Sequence, residues 1–184
     1  ATSCVLQDRL GLSSNCFAMD ISLGCSGWVY GLATISQFVG SGNFKKGLLL
    51  VGDTVTVTKS DRDKSTYPLF GDAGTATALE FDNSASPMHF HTSTDGSGYK
   101  SIIIEDGGFR NFFKPESLLV KETELGVFRN NLQSYLNGAD VFIFGILFKI
   151  KLKDKISLSF KFVFPPIYLN SGFIIFSFLF FNSI

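Results

Sequence analysis

The sequence is poor in the residues that mark several function classes. It has three cysteines, two histidines and one tryptophan in 184 residues. Cys4, Cys16 and Cys25 are odd in number and match no zinc-binding spacing, which argues against both a disulfide framework and a structural zinc site. Net charge is lacking as well: 16 Lys+Arg balance 16 Asp+Glu, so no basic face is implied and a nucleic-acid partner is not expected. No charged-then-apolar leader occupies Ala1–Leu12. The first residue is Ala rather than Met, which implies either removal of Met or a missing start. Free thiols in this setting fit a reduced, cytoplasmic protein without resident metal or cofactor.

What is present is apolar substance. Hydrophobic residues make up 45% and charged residues 17%, enough for a packed core, and 18 glycines imply many tight turns. A short helix is predicted over Val5–Leu12, stopped by Gly11 and the Ser13-Ser14-Asn15 cluster. Cys16–Leu23 reads as a buried strand. Trp28, Leu32, Ile35, Phe38 and Val39 recur at helical spacing up to the Gly40-Ser41-Gly42 stop. A second strand is expected over Gly47–Val51 or as far as Val57, a third over Thr75–Phe81, and another over Tyr99–Glu105. Thr58–Tyr67 reads as a charged loop, and Pro115–Leu136 as helical through Leu118, Leu119, Leu125, Phe128, Leu132 and Leu136. The alternation of types favours a mixed α/β, layered fold.

Composition changes near Ile143. From there to Ile184 there is no Ala, Arg, Glu or His, and ten of the 21 Phe residues lie here. Three readings compete: a membrane anchor, genuine β-structure, and out-of-frame translation of an A/T-rich gene. Lys161, Pro165 and Pro166 interrupt the first, and its cleanest apolar run, Phe173–Phe181, is too short to cross a bilayer, so membrane association is not expected. The frame change is preferred.

The chemically loaded position is Cys25, in Ser22-Leu23-Gly24-Cys25-Ser26-Gly27, between a strand and a helix. The positive end of the helix dipole and its unpaired N–H groups favour a thiolate there. The same N–H groups can hold a developing oxyanion, a design for covalent thioester chemistry. A Cys among small residues can equally be a packing residue. His89 and His91, at i and i+2, would share a strand face; with no third ligand near them they read as polar loop or edge residues. Asp72 reads as a turn-holding carboxylate.

These residues together resemble the β-ketoacyl-acyl-carrier-protein synthase III family of the thiolase superfamily. Met19–Leu32 (MDISLGCSGWVYGL) resembles its nucleophile segment. Asp63-Lys64-Ser65-Thr66 followed by Phe70-Gly71-Asp72-Ala73-Gly74 resembles its Asp-Arg-Gly-Thr loop and Phe-Gly-Asp turn. Asp95-Gly96-Ser97-Gly98 and Asn137–Phe142 resemble two later segments, so residues 1–142 are expected to form part of such a domain, with 143–184 an aberrant tail.

The resemblance implies a thiolase-like α-β-α-β-α layered fold, here incomplete, in a homodimer. It implies transfer of an acyl group from acyl-CoA to Cys25 and condensation with malonyl-acyl carrier protein. It puts Lys64 where the family's Arg contacts the CoA adenine, without that Arg's planar stacking surface. It puts Phe70, Gly138 and Phe142 along the acyl and pantetheine tunnel. The family's catalytic His lies in a His-Gln-Ala-Asn motif, and its catalytic Asn lies later. Neither motif occurs here, so condensation is not expected of this chain, and acylation of Cys25 is expected to be slow at most. A non-catalytic truncated homologue, acting as a dimerisation or binding module, is the alternative.

Overall fold

The computed structural model describes residues 1–92, 94, 96–123 and 126–136, and the backbone of 175–181. They fall into two compact units, the first holding 1–53, 73–92 and the 175–181 strand, the second holding the described residues of 54–72 and 93–136.

In the first unit, helix α1 spans Thr2–Arg9, strand β1 Phe17–Ser22, helix α2 Gly27–Gly40, strand β2 Lys46–Asp53 and strand β3 Ala73–Glu80. The small strands of the second unit are β4 (Ile102–Ile103), β5 (Lys121–Glu122), β6 (Phe128–Arg129) and β7 (Tyr135–Leu136), and β8 (Ile175–Phe181) returns to the first. The main sheet has the order β1-β8-β2-β3, every neighbouring pair antiparallel.

The pleat of β1 sorts its side chains onto two faces. Met19 and Ile21 pack toward α2, against the buried cluster Leu32, Ile35, Val39 and Leu49, with Leu23, Trp28, Phe38, Val51 and Leu79 around it. Asp20, on the opposite face, accepts hydrogen bonds from the backbone N–H groups of Thr2 and Ser3 at 2.6 and 2.8 Å. A carboxylate thus satisfies the opening N–H groups of α1 and meets its dipole, and it fixes α1 across the sheet from α2. The result is an α-β-α sandwich.

The interrupted apolar pattern of α2 produces the core. Its positions 32, 35 and 39 form one stripe, which lies on β2 where Gly47 lets helix and strand approach. Trp28 on the first turn donates its indole N–H to the Thr77 hydroxyl of β3 at 3.1 Å.

Several expectations are corrected. α1 starts and stops earlier than Val5–Leu12, because Asp20 caps its N-terminus and Gly11 takes φ +64° just beyond its end; Val5 and Leu10 are exposed and only Leu6 of that apolar set is buried. β2 ends at Asp53, and Val55–Thr58 is a 3₁₀ turn. Of Tyr99–Glu105 only Ile102–Ile103 joins a ladder, with Tyr135–Leu136.

The helix expected over Pro115–Leu136 does not form. Pro115–Leu118 is a 3₁₀ turn, and β5 and β6 pair as a hairpin around Gly126, whose φ is +70°. The Thr123 N–H donates to the Val127 carbonyl and the Gly126 N–H to that of Thr123, a reversal that no α-helix accommodates. Leu118 and Leu119, which set the helical spacing, are exposed. Leu125 lies outside the described residues, as do 137–174 and with them the expected domain boundary at 142–143. Within the apolar run Phe173–Phe181, residues 175–181 are a strand, β8. No helix among the described residues is long and apolar enough to cross a membrane.

Candidate nucleophile site

The predicted order of strand, turn and helix around Cys25 is present. β1 ends at Ser22 and α2 begins at Gly27, with Ser26 as the residue before the helix. Cys25 is exposed, on the turn between them. The Gly27 N–H donates to the Gly24 carbonyl at 2.8 Å, closing the turn, and the Tyr30 N–H donates to the Ser26 carbonyl at 3.1 Å as the first helical bond. The N–H groups ahead of Tyr30 have no acceptor inside the helix, and Gly27 has spent its own on the turn. The positive end of the helix dipole and the first-turn N–H groups therefore lie next to the turn that carries Cys25. Cys4 is also exposed and Cys16 half-buried, but neither stands between a strand end and a helix start.

Two further predicted residues lie in the second unit. Lys64 is exposed, in a turn built on Asp63. The buried Asp63 carboxylate accepts from the Ser65 N–H at 2.9 Å and hydroxyl at 2.5 Å, from the Thr66 N–H at 3.2 Å, and from the Thr66 hydroxyl. Burial pushes the carboxyl up, yet these hydrogen bonds, led by the Ser65 and Thr66 side chains, outweigh it and hold Asp63 below the ordinary aspartate range. Asp72 accepts from the Thr56 N–H at 2.9 Å and hydroxyl at 2.6 Å, which lower its carboxyl too. It ties the Phe-Gly-Asp turn to the 3₁₀ turn after β2, rather than only to its own turn.

Phe70 is half-buried, with the Lys59 ammonium 3.8 Å above its ring centre. Lys59 is 7% exposed and donates to the Ser134 hydroxyl at 2.5 Å. The Ser134 N–H in turn donates to the Thr58 carbonyl at 2.7 Å. Nothing local in the sequence marks this Lys59–Phe70–Ser134 group: Lys59 is one charge in a loop, and the partner that buries it, Ser134, is distant in the chain. Gly138 and Phe142 lie outside the described residues. His89 and His91 are exposed and in no strand, as their reading as polar loop residues expects. Among the described residues no three His, Cys, Asp or Glu side chains come together as a metal site.

Known proteins share sequence and fold with this chain. Residues 19–96 match the family described as 3-Oxoacyl-[acyl-carrier-protein (ACP)] synthase III. The chain is 33% identical over 147 residues to the beta-ketoacyl-[acyl-carrier-protein] synthase III of Caldanaerobacter subterraneus, covering 79% of this chain and 41% of that protein. It is 32% identical over 146 residues to that of Clostridioides difficile, covering 79% and 42%. A crystal structure of a 3-oxoacyl-(acyl-carrier-protein) synthase III superposes with a TM-score of 0.70 at 35% identity, covering 78% of this chain and 43% of the other. A 3-oxoacyl-(acyl-carrier protein) synthase from Burkholderia xenovorans superposes with a TM-score of 0.62 at 35% identity, covering 78% and 40%. The chain thus spans about two fifths of the length of these relatives. Its α-β-α sandwich is part of the layered thiolase-like fold expected from the sequence, and residues 19–96 carry the sequence pattern of the 3-oxoacyl-[acyl-carrier-protein] synthase III family.

Proposed function

We propose that Cys25 is an acyl-accepting nucleophile that takes its acyl group from acyl-CoA. The observation that carries this reading is the exposed thiol on the turn between β1 and the first turn of α2. The thiolate adds to the thioester carbonyl, the helix N–H groups stabilise the oxyanion, and collapse forms acyl-Cys25 with departure of the CoA thiolate. The thiol proton leaves to solvent and is returned to the CoA sulfur.

In this reading the Lys64 ammonium meets CoA as a point charge, without the stacking surface of an Arg. The resemblance assigns Phe70 to the pantetheine and acyl path, and gives Gly138 and Phe142, outside the described residues, the same role. The full family reaction joins the acyl group to malonyl-acyl carrier protein, in a cytoplasmic homodimer. Its second half needs the His and Asn that stabilise the carbanion left by loss of CO2, and this sequence has no His-Gln-Ala-Asn motif. The chain therefore acylates but does not condense.

The test is incubation of the 184-residue chain with acetyl-CoA, followed over time for free CoA thiol, with malonyl-acyl carrier protein added to a second sample. At most one CoA per chain is expected, and no 3-oxoacyl product. Continued turnover with malonyl-acyl carrier protein overturns the second part, and absence of any Cys25-dependent CoA release overturns the first.

A further inference from the structure

The β2–β3 register sets Thr77 opposite Leu49. Opposed residues of an antiparallel pair share a face, so Thr77 looks toward α2 with the fully buried Leu49. Leu79, two residues on and so on the same face, packs against the same cluster. A half-buried hydroxyl on that apolar face needs a hydrogen-bond partner. It has one in the indole N–H of Trp28, 3.1 Å away and 49 residues earlier in the chain.

Trp28 is the second residue of α2 and follows Cys25 by three. This end of the helix has no side-chain cap: Ser26 makes no capping hydrogen bond, and no acidic residue stands in the first turn. The Gly27 N–H goes to the Gly24 carbonyl and the Tyr30 N–H to the Ser26 carbonyl. Between them, the backbone N–H groups of Trp28 and Val29 meet no carbonyl among the described residues. One residue therefore carries both an open backbone donor close to the thiol in sequence and a side chain tied to β3. Helix ends fray when nothing holds them, and here the indole bond stands in for the missing cap.

We propose that Thr77 is a positioning residue for acyl transfer to Cys25. Through the Trp28 indole it holds the uncapped start of α2, so that the N–H groups there stay in place as the carbonyl oxygen gains charge. This role rests on the acyl chemistry proposed for Cys25. Neither Thr77 nor the indole need touch the substrate.

Two reagents separate positioning from simple loosening of the turn, each followed by peptide mapping of Cys25 in the 184-residue chain. With p-nitrophenyl acetate, the thiolate adds to the carbonyl and an oxyanion forms. Its collapse makes the C–S thioester and expels p-nitrophenolate, the thiol proton having gone to solvent. With iodoacetamide, the thiolate displaces iodide and no oxyanion forms. Thr77→Val should slow acetylation by about tenfold, less than the full loss of an oxyanion donor because the donors are displaced rather than removed. Alkylation should change by less than about twofold, and Thr77→Ser, which keeps the acceptor hydroxyl, should restore acetylation. Equal slowing of both reactions, no slowing of acetylation, no rescue by serine, or a Cys25 inert to both reagents overturns the proposal. If Thr77→Val does not fold, Trp28→Phe removes the donor instead, and the same ratio decides. Because p-nitrophenyl acetate needs no CoA recognition, failure of acetyl-CoA to acylate Cys25 counts against the proposed function, and the ratio of the two reagents counts for or against Thr77.

Discussion

The indole N–H of Trp28 and the hydroxyl of Thr77 meet at 3.1 Å, and this bond pins the first turn of α2 to β3. It is one link, beside the packing of Leu79, between the helix that opens beside Cys25 and the sheet edge opposite β1. Thr77→Val keeps the shape and removes the acceptor from a half-buried indole. The expected loss is about 1–2 kcal/mol of stability by denaturant titration. Trp28 is the chain's one tryptophan, so its fluorescence reports the same site, and its emission should shift. Unchanged emission and stability would show that the bond does not hold the helix.

Gly47 sits under Ile35 so closely that a methyl group there would lie 2.7 Å from both Cγ1 and Cδ1, and 3.2 Å from Cγ2 of Val39. Ile35 is fully buried and cannot move aside cheaply. Gly47→Ala should destabilise the protein by about 1–3 kcal/mol. Adding Ile35→Val, which deletes Cδ1, should recover part of that loss, so the double variant costs less than the sum of the two singles. Simple additivity would mean that helix and strand are not in this contact.

Asp63 holds its turn with four hydrogen bonds from Ser65 and Thr66, and Asp63→Ala should cost about 2–3 kcal/mol. The carboxyls of Asp63, Asp72 and Asp106 all lie below their ordinary value; for Asp106 the cause is hydrogen bonding from Asn131 and Ser117. A lowered folded-state value means that the folded protein holds the charged form more strongly than the unfolded chain does. The stability so gained is complete above the unfolded value of 3.8 and is lost as pH falls below it through the folded values. Thermal melts should therefore be flat from pH 7 to about pH 5 and fall steeply below about pH 4. Asp63→Asn should flatten that fall. An equally steep acid limb in the variant would remove Asp63 from the cause.

The parts of the fold that were legible are those with local cause. Residues 32, 35 and 39 buried one stripe of α2, and the Gly-rich turn before it needed only its own sequence to place Cys25 between strand and helix. The parts that were not legible depend on distant partners. Asp20 moves the start of α1, Ser134 buries the Lys59 amine, and the Asp106 carboxylate gathers Ser117 and Asn131 into a bonded cluster in the middle of what spacing suggested was one helix. There the leucine spacing of 118–136 reflected no buried face, since Gly126 reverses the chain inside it. Periodicity records which face a helix buries only if a helix exists, and here side-chain hydrogen bonds at long range decided that it does not.

The most direct measurement is peptide mapping by mass spectrometry after incubation with acetyl-CoA, beside a Cys25→Ser variant. An acetyl group on the peptide carrying Cys25, absent from Cys4 and Cys16 and absent altogether from the variant, is the predicted result. Acetylation spread over all three cysteines, or none on Cys25, would contradict the assignment of this turn as the seat of thioester chemistry.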